Sequence, residues 1–274
     1  MLPFMGSISF LLGIFVFFLG LSVGSFLNVV IMRSLRGEDF MWGRSHCDQC
    51  NRDLQWWEMI PVFSFVFLQG RCRTCKKEID IMHPVVELLT GLLFLWWWVI
   101  GFAFFQLSQT PLTVLQPLFW LIVGIVLLVI ALVDLRSYII PDWGTLLLFV
   151  ITLLYRVVLI LTNAHQPQDF AWALFGSMLL LLFFLMLWLI TAKKGIGFGD
   201  VKLIFPLGLL MGWPSMFVGV FLAFVIGAIV GVALLLSKKT QFGKAVPFGP
   251  FLILGTFLSL LYGDSLLRWY LSLL

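Results

Sequence analysis

Two stretches of the chain hold carboxylates beside long apolar runs: DLRSYIIPD (134–142) and GIGFGDVKL (195–203). Asp134 ends an apolar run, where the C-terminal end of a helix dipole disfavours negative charge; Asp200 opens one, where the N-terminal end favours it. Asp142 follows Pro141 and also precedes an apolar run. For a lone aspartate at such an end, capping or solvation is the ordinary reading. Asp134 stands against the electrostatic preference, and an acid at a span end against that preference invites a functional reading. Two carboxylates brought close together cannot both ionise easily. The charged one can take a proton from water while the neutral one hydrogen-bonds a carbonyl, which is a chemistry for hydrolysing an amide. Gly197 and Gly199 leave the backbone beside Asp200 without side chains, so an extended peptide could lie there; a flexible turn is the competing reading.

A second cluster lies earlier. HCDQC (46–50) and RCRTC (71–75) are two C-x2-C pairs separated by 21 residues, and they contain all four cysteines of the chain. Each pair can offer two thiolates to one metal, and two pairs complete a tetrahedron, so Cys47, Cys50, Cys72 and Cys75 read as ligands of a structural zinc. Disulfides are the alternative, which a reducing compartment disfavours. His46 reads as a neighbour rather than a ligand, because four thiolates already close the shell. Such a site leaves no position for substrate and acts as a staple.

The elements that must position these groups are set by composition. Of the 274 residues, 62% are hydrophobic and 11% charged, against roughly a quarter charged in soluble domains. Apolar segments fall near 8–31, 84–106, 115–133, 143–162, 171–192, 201–211, 216–236 and 246–262. Several approach the ~20 residues that cross a bilayer. The expected fold is therefore an all-α polytopic membrane protein of about eight transmembrane helices, with a small zinc-binding insert after the first span. Six or seven spans result if the pair joined by GWPS (212–215) is re-entrant. Residues 8–31 are too long for a signal-peptide core and lack a basic flank, so they read as a permanent span. The expected divisions are residues 1–32, the first span; 33–83, the insert; and 84–274, a membrane core.

Basic residues set the orientation, since cytoplasmic loops are rich in Lys and Arg. The insert holds Arg33, Arg36, Arg44, Arg52, Arg71, Arg73, Lys76 and Lys77. Alternating spans bring Arg136, Lys193, Lys194, Lys202, Lys238, Lys239 and Lys244 to the same side, so 15 of the 17 share one face. The loops QLSQTPLT and NAHQPQ carry none. The N-terminus is expected outside, with the insert and both aspartates at the cytoplasmic face.

With these motifs in order, the chain resembles the type IV prepilin peptidases, membrane aspartyl proteases of the GxGD class. GSFLNVVIMR (24–33) is similar to the family's first-span signature, and IPVFSFVFLQGRCRTC (60–75), flanked by HCDQC and HPVVELLTG, to its zinc-binding insert. DLRSYIIPD and GIGFGDVKL resemble the two catalytic motifs, and KAVPFGPFL (244–252) the segment at the last span. Two positions depart from the pattern: Asp48 stands where the family has Pro, and His83 where it has Tyr. The resemblance implies catalytic Asp134 and Asp200, and removal of the short basic leader of type IV prepilins and pseudopilins on the cytoplasmic side, after a glycine. It also implies a bacterial inner-membrane setting, with the lipid bilayer and prepilin precursors as partners and no nucleic acid. Many relatives N-methylate the new terminus with S-adenosylmethionine; the chain has no separate soluble domain of methyltransferase size. Glu58, Glu78, Asp80 and Glu87 are candidates to receive a cationic amine, or balance for basic neighbours. Glu87 lies in an apolar segment and is expected to have a partner. The alternative is a zinc-stabilised membrane transporter with Asp134, Asp200 and Arg156 as an ion or proton path.

Overall fold

Lipid offers the backbone no water to bond, so a single apolar segment pairs its amides by forming a helix. The computed structural model describes residues 2–36, 45–47, 49–101, 112–192, 195–237 and 246–272. Among the described residues the regular elements are helical, with two isolated β-bridges besides. The helices are α1 (Leu2–Arg36), α2 (Phe63–Phe67), α3 (Met82–Trp96), α4 (Leu112–Ser137), α5 (Asp142–Leu161), α6 (Pro167–Ile190), α7 (Phe198–Met211), α8 (Ser215–Leu236) and α9 (Gly249–Leu271). Arg44, Asp48, Lys193, Lys194, Lys238, Lys239 and Lys244 lie outside the described residues.

Seven of these helices are long and apolar enough to cross a membrane: α1, α3, α4, α5, α6, α8 and α9. The segment expected at 201–211 forms α7, which has 14 residues. At 1.5 Å per residue it spans about 21 Å, against a hydrocarbon core of about 30 Å. The expectation of about eight membrane helices thus resolves into seven candidate spans and one short helix.

The chain divides into two compact units, Met1–Val129 and Ile130–Leu274. In the first, α1 and α3 run antiparallel with glycines at the crossing. A Cβ on Gly20 would fall 2.9 Å from Gly91 Cα, and one on Gly24 would fall 2.6 Å from Glu87 Cα. One turn on, the Asn28 amide donates to the His83 carbonyl at 3.0 Å. Small residues let helix backbones approach, which matters where lipid removes the hydrophobic drive for helices to associate.

In the second unit α7 is the buried centre, packed against α5, α6, α8 and α9. Leu203, Ile204, Leu207 and Leu209 are fully buried. The α8–α9 pair repeats the glycine device: a Cβ on Gly255 would lie 2.3 Å from the Gly219 carbonyl oxygen and 2.8 Å from the Ala223 nitrogen. Ser259 Oγ donates to the Ser215 carbonyl at 2.6 Å, and Ser215 Oγ bonds Asp264 Oδ1 at 2.9 Å.

These clashes are with backbone, which cannot swing aside. Gly255→Ala is expected to destabilise the protein by about 1–3 kcal/mol, the usual cost of overpacking. Gly231→Ala, where an added Cβ meets nothing within 4 Å, should leave stability unchanged or raise it slightly. Thermal unfolding midpoints of the two variants in one detergent check the ranking.

Candidate functional site

Asp134 lies in the last turn of α4, where the final carbonyls of the helix gather, and is only 4% exposed. It is held there by a bond from far along the chain: the Gly249 N–H, at the start of α9, donates to Asp134 Oδ2 at 3.0 Å. Gly249 has to be glycine for this, since a Cβ would sit 2.6 Å from the same oxygen.

Asp200 is the third residue of α7 and is 6% exposed. Its Oδ2 accepts the Gly197 N–H at 3.2 Å, and its own N–H donates to the Gly197 carbonyl at 3.1 Å. The carboxylate thus closes back on the residue before the helix, at the positive end of the dipole. It acts from inside the first turn rather than from the N-cap, which is Gly197.

Ile140 links the two aspartate segments. It is buried in the loop between α4 and α5. A Cβ on Gly199 would come 2.9 Å from Ile140 Cβ, and one on Gly249 would come 3.2 Å from Ile140 Cδ1. Ile140 therefore packs beside Gly199, the neighbour of Asp200, and Gly249, the donor to Asp134, and the two aspartates sense each other. Burial, then the charge of Asp134, pushes the Asp200 carboxyl up to about 7, while the Gly197 N–H pulls it back. Asp142 stands apart: its side chain is 81% exposed and ion-pairs with Lys202, whose ammonium also lies 5.5 Å over the Phe198 ring. Of the two GFGD glycines, Gly199 lies within α7 against Ile140. Gly197 has extended backbone, and both its N–H and its carbonyl are engaged by Asp200.

At its other end α7 stops at Met211, with Gly212 at φ 79°. The last carbonyls of a helix have no intrahelical partner. Arg156 of α5 reaches them: Nε donates to the Leu209 carbonyl at 3.1 Å and an Nη to the Leu210 carbonyl at 3.5 Å. A Cβ on Gly212 would strike that guanidinium at 2.6 Å. The sequence signal was present, a lone arginine in an apolar run, and its hydrogen-bond partners are the carbonyls of a helix end.

The four cysteines form two copies of one turn. Cys47 N–H donates to the Arg52 carbonyl at 3.0 Å and Asn51 N–H to the Cys47 carbonyl at 2.9 Å; Cys72 N–H donates to Lys77 at 2.9 Å and Lys76 N–H to Cys72 at 3.0 Å. In each, the residue after the second cysteine is left-handed, Asn51 at φ 52° and Lys76 at φ 57°. Isolated bridges His46–Asp53 and Arg71–Glu78 close the two turns. The four sulfurs lie within 4.8 Å of one another, and Cys47 and Cys75 are 4.0 Å apart. A zinc tetrahedron with bonds of ~2.3 Å spaces its sulfurs about 3.8 Å apart, so the donor set fits. All four are free thiols. Backbone N–H groups of Cys75 and Thr74 pull the Cys72 thiol down to about 6, while, against the pull of the Arg52 N–H, desolvation and the neighbouring Cys47 and Cys75 sulfurs push Cys50 up to about 11.

The acidic candidates near this cluster are engaged. Glu58 accepts Arg52 at 2.8 and 3.0 Å and the Gln55 N–H at 2.9 Å. Asp80 Oδ1 accepts the Met82 N–H at the start of α3, and exposed Glu78 lies 4.0 Å from Arg71. Glu87 is buried in α3, and its Oε2 accepts the Val62 N–H at 2.7 Å, with Ser25 and Asn28 also bonding its carboxyl. Its partners are a loop amide and neutral side chains.

Two family profiles match the chain: the Bacterial Peptidase A24 N-terminal domain over residues 18–100, and the Type IV leader peptidase family over 121–232. The first contains the four cysteines and Glu87; the second contains Asp134 and Asp200. Curated relatives named prepilin leader peptidase/N-methyltransferase match over nearly the whole chain. One from Aeromonas salmonicida is 33% identical, covering 94% of this chain and 93% of its own. One from Pseudomonas aeruginosa is 32% identical, covering 93% and 91%. One from Bacillus subtilis is also 32% identical, covering 94% and 97%. No solved structure gives a significant match.

The carbonyl end of α7 makes one expectation specific. Arg156→Ala leaves two buried carbonyls without their charged donor, a loss of about 1.5–3 kcal/mol per hydrogen bond to a charged group. The thermal midpoint in detergent should fall, and Arg156→Lys should recover part of the difference.

Proposed function

The chain belongs to the type IV leader peptidase family, and on that premise we propose that it is an aspartyl endopeptidase of the bacterial inner membrane. Its substrates are type IV prepilins and pseudopilins, cut on the cytoplasmic side after a glycine. The observation that carries this reading is the pair of buried aspartates, delivered by different helices, with the charge of one opposing ionisation of the other.

In this reading Asp200 keeps the proton that its surroundings favour near neutrality, and Asp134 is the ionised partner. Asp134 removes a proton from water as the water oxygen attacks the scissile carbonyl carbon. Asp200 hydrogen-bonds the carbonyl oxygen as negative charge builds there. The carbon–nitrogen bond then breaks, the departing amine takes the proton from Asp134, and the leader leaves as a carboxylic acid. A precursor whose apolar helix stays in the bilayer presents its basic leader along the cytoplasmic face, at the depth of the aspartates. Gly197 keeps the backbone before α7 free of a side chain, and a glycine before the cut does the same for the substrate.

The division of labour that goes with this is a first span at 1–32, a cytoplasmic zinc-binding insert at 33–83 and a protease core at 84–274. Cys47, Cys50, Cys72 and Cys75 hold the zinc, which supplies folding energy to the insert and no catalytic step. N-methylation by means of S-adenosylmethionine belongs to the reading through the names of the relatives. The carboxylates expected to receive a cationic amine, Glu87 included, already have partners, so no methyl-transfer step is derived. The transporter alternative loses support from Arg156, which bonds the far end of α7, about 14 Å of helix from Asp200.

Asp134→Asn and Asp200→Asn should each abolish leader removal without lowering the amount of folded protein, while Asp142→Asn keeps substantial activity. Gel assays with a prepilin substrate decide, and near-normal cleavage by Asp200→Asn would end the aspartyl reading. Metal analysis should find about one zinc per chain, lost from the Cys47→Ser, Cys72→Ser double variant. In that variant the insert should become protease-sensitive while the spans persist.

A further inference from the structure

Between Glu58 and Arg71 the insert has no charged residue: MIPVFSFVFLQG, 59–70. In a solvated loop such a run should bury its apolar side chains under the rest of the insert. It does the opposite. Phe67 is 82% exposed and Trp56 75%, and Met59, Ile60, Phe63 and Val66 are exposed beside them. So many exposed apolar side chains within twelve residues have to be covered by something.

Three contacts fix where the segment lies against the helices of its own unit. The Val62 N–H donates to Glu87 Oε2 at 2.7 Å, and Glu87 is the sixth residue of the candidate span that begins at Met82, about 7 Å in at 1.5 Å per residue. Glu87 packs at Gly24 of α1. The Phe63 ring then stacks on Phe18, centroids 6.2 Å apart, and Phe18 is six residues further into the α1 span, about 9 Å beyond Gly24. Phe18 is itself exposed, so the apolar outer surface of α1 continues directly onto Phe63.

The backbone of the segment suits the same surroundings. The N–H groups of Phe63, Ser64, Val66, Leu68, Gln69, Gly70 and Arg71 all bond carbonyls within residues 60–68, and Val62 bonds Glu87. A solvated loop has no need of such closure, whereas hydrocarbon requires it. The run ends in exposed Arg71, Arg73, Lys76 and Lys77, cations that match anionic headgroups at the rim of a buried patch. Trp56, at the other edge, is a residue type enriched at that boundary.

We propose that residues 56–70 form a re-entrant element seated in one leaflet of the lipid bilayer, with acyl chains covering Phe63, Val66 and Phe67, Trp56 at the headgroup boundary, and the cationic turn of residues 71–77 on the headgroups. The insert is thereby anchored to the membrane at a fixed depth by Glu87 and Phe18. The placement rests on contacts within the first unit and holds whatever reaction the second unit performs.

The test uses the full chain in nanodiscs of phosphatidylethanolamine and phosphatidylglycerol. Photoreactive p-benzoyl-phenylalanine replaces Phe67 in one variant, Val66 in a second, and exposed Glu78 in a control; a thermal midpoint matching the parent qualifies each variant. After irradiation, intact-mass spectra should show phospholipid adducts at positions 67 and 66 in several-fold higher yield than at 78. Equal yields at all three positions would overturn the proposal. So would an adduct at 67 that shifts from lipid to protein when a prepilin is added, because the surface would then be a docking site for the substrate helix.

Discussion

A helix that ends inside a membrane protein must have its last carbonyls satisfied by something other than water. For α7 that donor is the Arg156 guanidinium on the Leu209 and Leu210 carbonyls, and much of the second unit follows from it. Because the end of α7 is satisfied, α7 need not cross the bilayer. Fourteen residues suffice, buried among four neighbouring helices. A short central helix puts its N-terminus, with Asp200 in the first turn, inside the unit, where the charge of Asp134 reaches it.

The absence of side chains does as much to build this site as their presence. Gly249 leaves room for Asp134 Oδ2 and at the same time offers that oxygen its N–H. Gly199 leaves room for Ile140, which also packs beside Gly249. The same economy governs the helix crossings, Gly20 with Gly91 in the first unit and Gly219 with Gly255 in the second. The four-cysteine cluster rests on a different principle: two short turns, each closed by a left-handed residue, repeat one geometry and bring four thiols together.

Much of this was legible in the residues. Apolar length and spacing marked the helices, and the paired C-x2-C spacing placed four thiols in one cluster. The position of Asp134 against the helix dipole singled it out. The shortness of α7 was visible as a choice between eight spans and fewer, and the settling contact, Arg156 to a helix end 53 residues away, has no local signature. Gly249 was within a motif that matched the family pattern, yet its bond to Asp134 joins residues 115 apart. Glu87 was expected to have a partner; that this is the Val62 amide could not be read from two apolar segments whose periodicity says nothing of their docking. The GFGD glycines were read as an open edge, and Gly199 also has a packing reason that depends on Ile140, a neighbour no pattern announces.

The claim on which the account turns is that Asp134 and Asp200 work as one unit with a single proton between them. The pH dependence of leader removal by the purified protein tests it most directly. Asp200, raised by burial and by the charge of Asp134 to about 7, carries its proton below that value and loses it above. The cleavage rate should therefore fall as pH rises through about 7, as the acid member of the pair is lost. A rate that keeps climbing well above neutrality would mean that a deprotonated group alone drives the reaction, and would contradict the paired-aspartate account.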